Sequence, residues 1–217
     1  MLTLSWGRTM ELPIIKPGKR VLIAGMTGSG KSTLACWLLK RSPLTWVILN
    51  PKHTSAYQTL EDSTVVSSLD LVKIERAMMR HRYVIVNPNS RDCTPDILDD
   101  FIMRLHESFF NLGLCCDELY SLHKNGVAGQ GLIGWLTRGR ELKQSFLGLT
   151  QRPAWLSQFL FSESDFICGM MLRLDKDRKR MIEMTGRSEF AARVPPRHWL
   201  WYQGETDDIK YFGPVPP

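Results

Sequence analysis

Residues 25 to 33 read GMTGSGKST. The run Gly25, Met26, Thr27, Gly28, Ser29, Gly30, Lys31, Ser32, Thr33 satisfies the pattern G-x-x-x-x-G-K-[ST], whose chemistry is phosphate binding. Backbone N–H groups of such a turn and of the helix that follows it form a concave anion site. Lys31 then holds the β- and γ-phosphates of a nucleotide, and Ser32 holds a magnesium ion. The alternative is a plain glycine turn. The flanks favour the phosphate site, because an apolar strand pattern precedes the match and a helical pattern follows it.

A second stretch, LGLCCDEL, carries apolar residues into Asp117 and Glu118. Its pattern is that of a Walker B segment. Hydrolysis of a nucleotide asks for one acid at a strand tip to hold the Mg²⁺ shell and for a carboxylate that orients water toward the γ-phosphate. Asp117 and Glu118 fill those two roles in order. An apolar run ending in two acids is, taken alone, often just a strand end, and the functional reading leans on the phosphate-binding turn upstream. The vicinal Cys115 and Cys116 suit strand packing better than redox chemistry.

The third stretch is FLGLTQRPAW, residues 146 to 155, an apolar strand that stops on Gln151 and Arg152 before Pro153. A strand lying between the other two would present Gln151 to the γ-phosphate and the attacking water. An amide can donate to phosphate and accept from water without adding charge, which suits a sensor. The alternative is a solvated strand tip ahead of a proline-started helix.

These residues need elements to hold them. Strand patterns cover 20–24, 45–50, 83–87, 112–116, 145–150 and 166–171, and helical patterns alternate with them. Thr94 caps a helix that starts at Pro95 and buries Ile97, Phe101, Ile102, Leu105 and Phe109. Further helices are expected over 69–80, near 132–143 and from Asp175, the last as an exposed basic face. The end of the chain reads as a hairpin, 198–203 with 209–212. Alternating strands and helices predict an α/β fold with a mostly parallel sheet flanked by helices, and ligands in such sheets bind at the carboxyl ends of strands.

The chain has 217 residues with a formal charge of +6, enough for one sizeable core and compatible with a polyanionic partner. One domain is expected over 1–217, its core about 18–175 and a C-terminal helix and hairpin about 175–217. Five cysteines without CxxC spacing and scattered histidines point away from zinc and from a disulfide framework, and toward a reducing cytoplasm. The start MLTLSWGRTM lacks a targeting pattern, and no window reaches the ~18 apolar residues of a membrane span.

GMTGSGKST, LCCDE and FLGLTQRP, with TRGRELKQ just before the third motif, resemble the FtsK/HerA superfamily of P-loop ATPases. Within it, they resemble the genome-packaging ATPases of membrane-containing icosahedral double-stranded DNA viruses. The resemblance covers about residues 18–175. It implies a RecA-like core, ATP and Mg²⁺ as cofactors, a ring that is a hexamer, and non-specific double-stranded DNA driven into a procapsid. It further implies work in the host cell cytoplasm and at a virion packaging vertex, with capsid vertex or portal proteins as partners.

Ring motors complete each site with an arginine from the neighbouring subunit. Arg138 and Arg140 in TRGRE are the candidates, with Arg152 behind them, and a solvated helix face is the alternative for the first two. For DNA, the loop SLHKNGVAGQG offers His123, Lys124 and Asn125, or is an ordinary surface loop. Three rivals stay open. A nucleotide or small-molecule kinase shares the phosphate loop but has little use for Glu118 or Gln151. A phage assembly or export ATPase usually adds a membrane segment, and a non-enzymatic vertex protein has no need of the intact acid pair.

Overall fold

The computed structural model describes residues 13–124 and 126–215. Residues 1–12, Asn125 and residues 216–217 lie outside the described residues, and so do the readings of the N-terminal start and of Asn125. In chain order the elements are β1 (Arg20–Ala24), α1 (Lys31–Arg41), β2 (Thr45–Leu49), β3 (Ser63–Val66), α2 (Leu71–Met78) and β4 (Tyr83–Val86). Then come α3 (Pro95–Ser108), β5 (Leu112–Asp117), the two-residue strands β6 (His123–Lys124) and β7 (Val127–Ala128), α4 (Gln130–Arg138) and β8 (Ser145–Thr150). The chain continues through α5 (Gln158–Ser162), β9 (Phe166–Gly169), α6 (Asp175–Thr185), β10 (Trp199–Gln203) and β11 (Asp208–Phe212).

Nine strands form one sheet in the order β11-β10-β9-β1-β8-β5-β2-β4-β3. From β3 to β9 every pairing is parallel, while β10 joins β9, and β11 joins β10, in antiparallel fashion. The expected hairpin therefore extends the main sheet. Strands β1, β4, β5 and β8 are buried on both faces, which is why they read as continuous apolar runs instead of alternating ones.

Two apolar layers cover the sheet. One holds the leucines of α1 with Trp46, Tyr57, Trp199 and Phe212, and the other holds Ile74 of α2, the buried faces of α3 and α4, and Met181 of α6. Cys115 faces the first layer and Cys116 the second, and burial raises both thiols, so they pack and do not react. Thr94 caps α3 by accepting from the Ile97 amide at 3.4 Å, with Pro95 in the first turn as expected.

Four local expectations change. Ile97 is 40% exposed, because the inward stripe of α3 runs through Leu98, Phe101, Ile102 and Leu105, and Phe109 is only half-buried at its end. α4 stops at Arg138, earlier than the expected residue 143. Beyond it the buried Gln144 amide donates to the carbonyls of His106 (3.0 Å) and Phe109 (2.5 Å), which ties the chain into a turn before β8. The edge strand β3 was not expected, since its half-exposed STVV carries too little apolar signal. The helix from Asp175 is not a purely exposed face, for Asp177 and Arg178 are buried. Asp177 accepts from the Ala154 amide at 3.2 Å, and Arg178 donates to the Leu172 carbonyl at 2.6 Å.

Gly113 shows how tightly the central strands pack, because a Cβ there would lie 2.3 Å from the Trp46 ring on the neighbouring strand. Gly113→Ala should cost about 1–3 kcal/mol, lowering Tm by roughly 2–12 °C, and Trp46→Phe in the same background should recover part of the loss. Thermal unfolding of the two variants checks this; an unchanged Tm for Gly113→Ala would show that the ring can yield.

Candidate nucleotide site

Strand β1 delivers the chain to the tip of the sheet at Ala24, and residues 25–30 turn it back into α1. The turn is stitched to both neighbouring strand ends. The Gly25 amide donates to the Thr150 carbonyl at 3.1 Å, and the Met26 amide donates to the Met171 carbonyl at 2.8 Å. Gly30 caps α1 with φ +98°, a left-handed conformation that glycine adopts without the penalty of a Cβ. Among the described residues no acceptor is found for the amides of Lys31, Ser32 and Thr33, which open the helix. A helix start of this kind is an anion site looking for its anion.

Lys31 is 8% exposed, and its ammonium rests 2.9 Å from the Met26 carbonyl. Burial pulls its pKa down to about 8, against the opposing pull of the Glu118 and Asp117 carboxylates. A phosphate placed beside it would favour the charged form and relieve that cost.

The strand order sets the rest. Strand β8 lies between β1 and β5, with Ala24 level with Thr150 and Leu149 level with Asp117. The polar tips thus converge on one cleft of about 590 Å³, lined by Thr27, Gly30, Lys31, Ser32, Thr33, Lys52, Thr54, Asp117, Gln151 and Arg197. Asp117 is 7% exposed, and burial raises its carboxyl above the ordinary range. The Thr54 hydroxyl, donating to its Oδ2 at 2.7 Å, works in the other direction. Glu118 sits just past the strand with φ 87°. Its Oε2 is paired with Lys52 Nζ at 2.5 Å, and among the described residues its buried Oε1 has no partner. The Gln151 Oε1 accepts from the Thr27 hydroxyl at 2.7 Å, which leaves the amide nitrogen as a donor.

All of the phosphate-turn residues, Asp117 and Gln151 therefore meet at one end of the sheet, with Glu118 beside them. The arginines do not. Arg138, the last residue of α4, and Arg140 just after it lie at the opposite end, where Arg140 reaches Asp165 at 3.3 Å together with Lys19 at 3.1 Å. Arg152 is near the tips, but it stacks on Trp155 (4.4 Å to the ring centroid) and pairs with Asp177 at 3.9 Å. In the loop after β5, His123 is buried against the Leu119 carbonyl (2.8 Å) and pushed toward its neutral form by burial, while Lys124 is exposed and paired with Asp96 at 2.7 Å. Three cleft residues escaped the sequence reading. Lys52 and Thr54 follow directly on the second strand, so the strand-tip rule was a usable signal for them. Arg197 comes from the far end of the chain, and no local signal marks it.

A phosphate turn between a parallel strand and a helix, with an acid pair two strands away and a polar tip on the strand between, defines a P-loop NTPase fold. No family model matches the chain. It is 29% identical over 213 residues to the DNA packaging ATPase P9 of Enterobacteria phage PRD1, covering 91% of this chain and 88% of that protein. Its fold matches the genome packaging NTPase B204 of Sulfolobus turreted icosahedral virus 2 in complex with AMPPCP, with TM-score 0.72 at 20% identity, over 92% of this chain and all of that one. VirB4 of Thermoanaerobacter pseudethanolicus is similar in fold too, with TM-score 0.67 at 10% identity, over 91% of this chain and 89% of that one.

The Thr27–Gln151 bond orients an amide that would otherwise rotate. Thr27→Val should slow phosphate release from ATP several-fold, and Gln151→Ala by roughly tenfold or more, with ATP affinity little changed in both. Because one acts through the other, the double variant should be no slower than Gln151→Ala alone. Steady-state turnover and nucleotide titration of the three variants decide it, and additive losses would separate the two residues.

Proposed function

We propose that this chain is an ATP-hydrolysing motor that translocates double-stranded DNA, packaging a viral genome into a procapsid. The observation that carries the reading is the convergence of Lys31, Asp117 and Gln151, with Glu118 beside them, on the tips of three adjacent parallel strands. Similarity to the phage packaging ATPase over nine-tenths of the chain supports the biological role.

In this reading the turn from Gly25 to Thr33 cradles the phosphates of ATP with its backbone amides, and Lys31 places positive charge against the β- and γ-oxygens. Ser32 and Asp117 hold Mg²⁺, which supplies charge neutralisation at the phosphates. The donor set fits: a hydroxyl and a buried carboxylate stand on two sides of the same cleft. Glu118 accepts a proton from, and orients, the attacking water once it leaves Lys52, whose ammonium otherwise occupies one of its oxygens. Gln151 donates to the γ-phosphate end and accepts from the water.

The motor works as one ATPase domain per subunit in a ring, a hexamer, on non-specific DNA. Arg138 and Arg140 sit far from the cleft of their own subunit, so they can serve chemistry only across a subunit boundary. Among the described residues no helix is long and apolar enough to cross a membrane. The host cell cytoplasm and a packaging vertex with capsid or portal proteins are the proposed places of action.

Phosphate release with and without double-stranded DNA tests the reading. DNA should raise turnover, Lys31→Ala should lose ATP binding, and Glu118→Gln should keep binding while turnover falls about 10²–10⁴-fold. Glu118→Gln turning over ATP near the unaltered rate would remove Glu118 from the chemistry. Mixing Lys31→Ala with Arg138→Ala or Arg140→Ala should restore activity if the arginine acts in trans, since some interfaces then join a sound turn to a sound arginine.

A further inference from the structure

The segment between α6 and β10 crosses the phosphate turn. The Arg197 amide donates to the Ser29 carbonyl at 3.1 Å, and the Val215 amide donates back to the Arg197 carbonyl at 2.8 Å. The Arg197 backbone and Cγ lie against Gly30, close enough that a Cβ on that glycine would meet them at 3.5 to 3.6 Å. The residue lines the cleft, and one guanidinium nitrogen donates to the Val215 carbonyl at 2.9 Å. Arg197 adopts φ 62°, an uncommon conformation for a residue with a Cβ, so the contact is kept at a backbone cost. Among the described residues the Arg197 guanidinium has no carboxylate within ion-pair distance, which leaves its remaining donors available.

The direction in which Arg197 approaches is informative. Asp117, Glu118, Lys52 and Gln151 all belong to β8, β5 and β2, on one side of β1, and they mark the γ-phosphate end. Arg197 lies just before β10, which pairs with β9 on the other side of β1. A phosphate chain laid along the turn with its γ end at the acids must leave the cleft past Arg197. We infer that Arg197 binds the α- and β-phosphates of the nucleotide, and that the C-terminal hairpin is thereby a working wall of the site. Its planar fork of donors matches phosphate oxygens, and one anchored nitrogen pre-orients the others. The inference rests on the proposal that Lys31 and its turn hold a nucleotide.

The test is equilibrium binding of ATP and of ADP to the intact chain, with thermal unfolding as a folding control. Arg197→Gly removes the guanidinium, is compatible with φ 62° and keeps the backbone bonds to Ser29 and Val215, so it should still fold and unfold cooperatively. It should weaken ATP and ADP alike, by about tenfold, which is ~1.4 kcal/mol. Arg197→Lys, which keeps the charge but loses the fork, should recover part of both. A loss confined to ATP would place Arg197 on the γ-phosphate, and unchanged affinity for both nucleotides would make it a purely structural clasp; each result overturns the inference. Lys31→Ala measured alongside separates the two layers: if it too binds ATP and ADP normally, the nucleotide site itself lies elsewhere.

Discussion

The stitching of the phosphate turn to its neighbours is the constraint on which the rest of the molecule depends. Three backbone hydrogen bonds, Gly25 to Thr150, Met26 to Met171 and Met170 to Ala24, fasten the end of β1 to the ends of β8 and β9. A loop of flexible glycines would otherwise sample many shapes, and ordering it on binding would cost free energy. Here the ordering is done by the fully buried central strands, which have no room to shift. The packing of Gly113 under Trp46 belongs to the same rigidity, because it sets the spacing between β5 and β2 and so the distance from the acid pair to Lys52.

Burial gives the site its electrostatic character. Lys31 and Asp117 both lie below the surface, and each pays for desolvation in the direction physics demands, the amine losing affinity for its proton and the carboxyl gaining it. Neither group is well satisfied by the protein alone. Lys31 rests on a neutral carbonyl, Asp117 on a hydroxyl, and Glu118 on a lysine from a third strand. Such a set is poised to exchange weak internal partners for phosphate and cation, as a nucleotide site requires.

The two ends of the sheet are chemically different. At the carboxyl tips lie the cleft and its polar groups; at the amino ends Asp165 gathers Lys19, Arg20 and Arg140 in a network that closes the bottom of β1 and β9. α4 follows the carboxyl end of β5 and stops ahead of the amino end of β8, so it carries Arg138 to the end of the sheet away from the cleft. A trans role for these arginines thus places the amino-terminal edge of one subunit against the cleft of the next.

The residues that could be read from the chain were those whose chemistry is local. GMTGSGKST states its function by spacing, because a turn and the helix after it are contiguous, and the apolar runs ending in Asp117 and Gln151 declare themselves as strand tips by hydrophobicity alone. The same reasoning located eight of the nine strands of the main sheet and missed β3, whose half-exposed edge position leaves little apolar pattern. What tertiary structure decided was adjacency. That Gln151 ends the strand beside Asp117, that Lys52 reaches Glu118, and that Arg197 leans on Gly30 from near the end of the chain all follow from strand order and register. No propensity or spacing encodes these contacts, because they join residues that only the folded sheet brings together. The burial of Asp177, Arg178 and His123 has the same origin, since a charged residue reads as surface until its partners arrive from elsewhere in the chain.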